Sequence, residues 1–244
     1  MKSAQESGVL NFIAGFQQVV TSVADLGSTY NPKPERLKTV NLQASLAQTN
    51  LLQAEVVTNE GIYRNAISAR QAIYEPIRKF ATRINNAFAI TDADPNLKAT
   101  VKGITAKFRS SSNKSRATAS AASEGSNTSE MPRTHSTAQT GYDNLPGHLR
   151  RIIAIIETVP SYDPAESDLS LNSIKNMAST CDQANSRAME AENRFNMARD
   201  RRDDFLYNKN TGLIAVTHEV KQYVKSAFGA NSDVAKRIIA IRLA

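Results

Sequence analysis

Nucleophilic, metal-assisted and acid–base chemistry all need Cys, His or carboxylate groups brought together, and this chain offers few. Its three histidines, His135, His148 and His218, are scattered, with no second ligand at metal spacing beside any of them. Structural and catalytic metal sites use clustered ligands, so no metal is expected. The single cysteine, Cys181, falls at an apolar position of a helical pattern. Reactive thiols need exposure and nearby positive charge, so Cys181 reads as a buried, inert side chain. The phosphate-cradling, dinucleotide, nucleophile-elbow and zinc-protease motifs are all missing. The residue types therefore exclude the commonest enzyme classes, and neither a catalytic residue nor a cofactor is expected.

The charged residues offer more. The run Asp200–Asp204, "DRRDD", looks like an acid cluster. On a helix its charges meet arginines three and four residues away, which predicts a solvated ladder of ion pairs. Arg70 and Arg202 stand out because their neighbours in the helical pattern are alanine or aliphatic. Each is expected to bridge to a carboxylate on a facing helix, or to pack its stem and let the head reach water. Residues 61–118 hold eleven Lys and Arg against three acids, a local charge of +8 in a chain whose total is +7. Lys98, Lys102, Lys107 and Arg109 are the candidate surface for an anionic partner within that region.

These side chains must be positioned by helices. The composition is rich in alanine, has no tryptophan and is poor in aromatics, which favours close-packed helix faces. The chain also repeats itself. "STYNP" at 28–32 is answered by "PSYDP" at 160–164, and an offset of 132 carries Tyr30 to Tyr162, Leu42 to Ile174, Tyr63 to Phe195 and Arg70 to Arg202. After Tyr74 the offset becomes 140, so that "NNAF" at 85–88 meets "KSAF" at 225–228, with eight residues added around 208–212. The pattern predicts an internal duplication with units near 5–108 and 141–244.

In both copies Asn31-Pro32 and Asp163-Pro164 are expected to start a long helix, with the polar residue as cap and proline at the first helical position. Glu166 is placed to complete a capping box. In the second copy, Leu171, Ile174, Ala178, Cys181, Ala188, Ala191, Phe195, Ala198 and Phe205 form a heptad-like seam with gaps at Asn185 and Arg202. The first copy repeats it with Leu42, Leu46, Thr49, Val56, Tyr63, Ile67 and Ile77. Shorter amphipathic helices are predicted over 8–27, 95–108, 145–159, 212–228 and 232–243. The expected fold is all-α: an elongated, internally duplicated antiparallel bundle of long helices. Its parts are a first unit over 1–109, a flexible Ser/Thr/Ala-rich linker over 110–140, and a second unit over 141–244.

The segments Arg64–Ala93 and Val220–Ser232 resemble duplicated all-helical proteins of Bacteroidetes-type bacteria whose function is unknown. The likeness rests on the doubled "Y-x-P" element, on Ala69, Ile73 and Tyr74, and on "VKSAFG" at 224–229. It implies a soluble bacterial helical protein and supplies no activity or site residue. A lone cysteine, and the lack of an apolar signal segment or membrane span, predict a cytoplasmic protein. The leading expectation is a non-enzymatic structural or protein-interaction protein of coiled-coil character, working through helix faces or self-association. The alternative is a nucleic-acid-binding protein of the nucleoid-associated type, using 61–118. A membrane-surface role ranks third, because 95–109 has only a modest apolar face.

Overall fold

The computed structural model describes residues 3–108 and 141–243, and every regular element among them is helical. The predicted linker 110–140 lies outside the described residues, as does Arg109. In chain order the helices are α1 (Ser3–Ala24), α2 (Thr39–Tyr74), α3 (Ile77–Ala89) and α4 (Pro95–Ala106), then α5 (Asn144–Ile156), α6 (Leu171–Tyr207), α7 (Leu213–Phe228) and α8 (Asp233–Ala240).

The two tyrosine-proline elements do not start the long helices, which corrects the expected caps. α2 begins seven residues after Pro32, at Thr39, and α6 seven after Pro164, at Leu171. After Tyr30, Pro34 disfavours helical geometry at Lys33, so no helix can run on from Pro32. Each element instead opens a loop that closes on a single 3₁₀ turn, Glu35–Leu37 or Ser167–Leu169. The Tyr30 hydroxyl donates to the Leu37 carbonyl at 2.9 Å, and the Tyr162 hydroxyl to the Leu169 carbonyl at 2.8 Å. Ser170, not Asp163, caps α6: its Oγ accepts from the Ser173 N–H at 3.3 Å. Glu166 makes no side-chain capping bond.

Other boundaries follow local chemistry. Asp94 accepts from the Asn96 N–H at 2.7 Å, with Pro95 at the first position of α4. Gly229 ends α7 with φ +82°, a conformation that favours glycine. Ile77, expected in the first seam, opens α3 instead, because Pro76 interrupts the chain after Tyr74. Gly15 is required by close approach: a Cβ there would stand 2.5 Å from the Arg242 carbonyl oxygen.

The chain packs into two compact units, Met1–Tyr63 with Ala191–Ala244, and Arg64–Glu190. Neither coincides with residues 1–109 or 141–244. The boundary falls inside α2, between Tyr63 and Arg64, and inside α6, between Glu190 and Ala191. A 36-residue helix is about 54 Å long, more than one small core covers, so its two ends serve different cores.

In the first unit, Val9, Phe12, Phe16, Val19 and Val23 of α1 pack with Leu42, Leu206, Leu213, Val220, Val224, Ala235 and Ile238. In the second, Ile77, Phe80, Ile84 and Phe88 of α3 pack with Val101, Leu149, Ile152, Ile156, Ile174, Ala178 and Cys181. Each such Phe, Leu or Ile contributes about 1.5–3 kcal/mol by leaving water. Within the first unit α2 and α6 run antiparallel: Gln53 meets Arg202, Glu55 meets Arg201, and the rings of Tyr63 and Phe195 stack at 5.9 Å.

The α6 seam is more continuous than its sequence suggests. Ala184 fills the gap beside Asn185, Leu206 takes the last position in place of half-buried Phe205, and Arg202 itself lies in the seam with no exposure. Cys181 is fully buried, and burial pushes its thiol up to about 11, so it carries no thiolate near neutrality.

Candidate interaction surface

Arg70 and Arg202 are both held by packing, through different chemistry. Arg202 donates from Nε to Asp203 at 2.9 Å and from Nη1 to the Gln53 side-chain carbonyl at 3.1 Å, and its Nη2 lies 2.8 Å from Asp203. The ion-pair expectation therefore meets a carboxylate on its own helix, with an amide on the facing one. Arg70 bridges to no carboxylate among the described residues. Its guanidinium carbon lies 4.1 Å from the centroid of the Tyr142 ring, a cation–π contact. The "DRRDD" run is likewise not a purely solvated ladder, since Arg202 is buried and Arg201 bonds Glu55 of α2 at 3.0 Å.

Of the described anionic-partner candidates, two share a helix face and the third does not. Lys98 and Lys102 stand one turn apart on α4, whose other face buries Val101, Ile104 and Thr105. Lys107, nine residues after Lys98, falls about half a turn round the axis. Its charge and that of Arg151 of α5 both act on the His148 imidazole. Lys98, Lys102 and Lys107 form no ion pair among the described residues. The fold also sets acids against the basic region. Residues 64–108 carry eight Lys and Arg with three acids, and residues 141–190 carry four with seven, so the described part of the second unit has a formal charge of +2. Arg83, for example, grips Asp168 with both terminal nitrogens.

His148 is 4% exposed, and neither ring nitrogen has a hydrogen-bond partner. Its ring meets Phe108 edge-on at 5.7 Å. Burial first, then the charges of Lys107 and Arg151, hold its pKa below the ordinary histidine value. It is a neutral core residue and no ligand. Among the described residues no three His, Cys, Asp or Glu side chains are grouped to hold a metal, and no helix is long and apolar enough to cross a membrane. A cleft of about 630 Å³ in the second unit is lined by Arg83, Ser161, Asp163 and Glu166 among others. Arg83 is already committed to Asp168, and the Ser161 hydroxyl accepts from the Asp92 N–H at 3.1 Å. That cleft holds no nucleophile paired with a base.

The surface that the seam analysis missed is the outer face of α2. Val40, Ala44, Ala47, Leu51, Ala54 and Thr58 follow one another in steps of four and three and are all exposed, Val40 and Leu51 at 66%. Val57 and Ile62 are exposed beside them. The sixteen residues Thr39–Ala54 contain no charge at all. The positions 132 residues further on, also all exposed, are Asn172, Asn176, Ser179, Gln183, Ser186 and Glu190 of α6. One long helix thus shows water a polar face, and the other shows it an aliphatic one. The signal was readable as a second heptad stripe, but the inner seam at Leu42, Thr49 and Val56 shares the same period and masks it.

No protein-family model, no curated protein and no solved structure matches this chain.

Proposed function

We propose that this protein is a non-enzymatic interaction protein, an internally duplicated antiparallel helical bundle that works through an exposed helix face. The aliphatic outer stripe of α2 carries the reading. A solvated helix face costs nothing to make polar, and the six positions of α6 that correspond to the stripe are all polar, with exposed Met189 beside them. Exposed aliphatic side chains in register mark a contact surface. The duplication is supported by the paired tyrosine-to-carbonyl bonds, which join residues related by the offset of 132. A free, buried cysteine fits a reducing cytoplasmic compartment. The bacterial helical proteins that Arg64–Ala93 resembles are the kind of protein we place it with.

The test is photo-cross-linking in the native host from benzoylphenylalanine at position 51. An adduct of defined mass is expected. A clean absence of adducts, with the chain folded and expressed, would overturn the reading.

A second reading, binding to nucleic-acid backbone, is favoured by one observation: Lys98 and Lys102 stand a turn apart without acidic partners. Binding to random duplex DNA would then fall steeply with salt, and Lys98→Glu with Lys102→Glu would abolish it. Unchanged binding in that variant rejects this surface.

A further inference from the structure

The outer stripe of α2 is complementary to itself. Run antiparallel against a second copy about a centre at residue 49, it sets Val40 opposite Thr58, Ala44 opposite Ala54 and Ala47 opposite Leu51, and then the same three layers in reverse. The two exposed leucines each cover an alanine, and the Ala44–Ala54 layers let the backbones approach closely. Run parallel, the stripe would set Leu51 on Leu51 and alanine on alanine, alternating crowded and empty layers. Charge agrees: nothing from Thr39 to Ala54 repels a second copy, and Gln43, Gln48 and Asn50 beside the stripe offer uncharged hydrogen-bonding groups at its edge. The same six positions of α6 are polar and would bury no aliphatic surface against a second copy.

We propose that the occupant of this face is a second copy of the chain, paired through the outer face of α2 about a two-fold axis that passes between Ala47 and Leu51. The proposal rests on the helix-face reading above and names its partner. From Val40 to Thr58 the stripe is about 27 Å long at 1.5 Å per residue. A contact of that length and one helix in width buries on the order of 1,000 Å² over both copies, the lower edge of specific interfaces. The pair should therefore be reversible, forming in the micromolar range.

Disulfide trapping tests the register, with buried Cys181 out of reach of the oxidant. Ala44→Cys mixed with Ala54→Cys is expected to give a mixed cross-linked dimer, while Ala44→Cys alone gives little. In light scattering the wild-type mass should rise from 26.6 kDa towards twice that value with concentration, and Leu51→Glu should stay at 26.6 kDa with unchanged helicity. Efficient self-cross-linking of Ala44→Cys would overturn the antiparallel pair. So would a monomer at several hundred micromolar with no trapped dimer. The photo-adduct at position 51 separates the two levels: twice the chain mass supports self-pairing, another defined mass overturns it and leaves the helix-face reading standing, and no adduct overturns both.

Discussion

The guanidinium of Arg70 lies 4.1 Å from the centroid of the Tyr142 ring, with its Nε buried and without a hydrogen-bond partner among the described residues. The ring is held from two sides. The Tyr74 ring meets it edge-on at 4.8 Å, and the Tyr142 carbonyl accepts from the Tyr74 hydroxyl at 2.7 Å and from the Asn185 amide at 2.8 Å. A partly desolvated cation over a fixed ring contributes about 0.5–2 kcal/mol. In a double-mutant cycle of Arg70→Met and Tyr142→Leu, read by denaturant unfolding, a coupling energy of that size is expected. Strict additivity would show that the contact contributes nothing.

Arg202 has no exposure, yet it holds a carboxylate and an amide. Arg202→Ala leaves a cavity and an unpaired Gln53, so a loss of about 2–5 kcal/mol is expected, as for truncating a large buried side chain. Arg202→Met together with Gln53→Leu fills the volume, removes the amide that would lose its partner and leaves only the half-exposed Asp203 to be met by water, so it should recover much of that loss. Equal destabilisation in the two variants would contradict this account.

The two tyrosine hydroxyls that close the loops before α2 and α6 make one bond each to a main-chain carbonyl. Tyr30→Phe and Tyr162→Phe should each cost about 0.5–1.5 kcal/mol. They belong to different compact units and share no partner, so the double variant should lose the sum. Burial raises the Tyr162 phenol to about 12, so neither effect should change with pH below about 9.

His148 predicts acid sensitivity. Its pKa in the folded chain lies below the unfolded value of about 6.5, so the unfolded state binds the proton more readily. The neutral form's stability is complete above about pH 6.5 and is lost as pH falls below it. His148→Phe should flatten the stability profile as pH falls below about 6.5, and it also removes two unpartnered buried nitrogens. Lys107→Gln should raise the His148 pKa, as followed by NMR titration. An unshifted resonance would remove Lys107 as a cause.

Much of the local structure was legible in residue types. The caps at Asp94-Pro95 and Gly229 and the burial of Cys181 follow from chemistry acting over a few residues. The start of α2 was not legible from Asn31-Pro32 alone, because the Tyr30 hydroxyl reaches seven residues ahead and holds that stretch in a loop. Arg202 read as a gap in the seam, since its polar partners include Gln53, 149 residues away. Arg70 and Arg202 look alike in sequence. One faces the ring of Tyr142 and the other faces Gln53, and the fold alone makes that difference.

By itself the sequence determined an all-helical chain, the approximate lengths of its helices, the recurrence at 132 residues and the lack of any recognised catalytic motif. These depend on periodicity and on residue type, which act locally. Only the tertiary structure decided that the compact units divide α2 and α6, that Lys107 parts from Lys98 and Lys102, and that α2 turns an aliphatic stripe to water while α6 does not. A heptad period states how often an apolar residue recurs. Which of two such stripes is buried depends on where the neighbouring helices pack, and those neighbours come from distant parts of the chain.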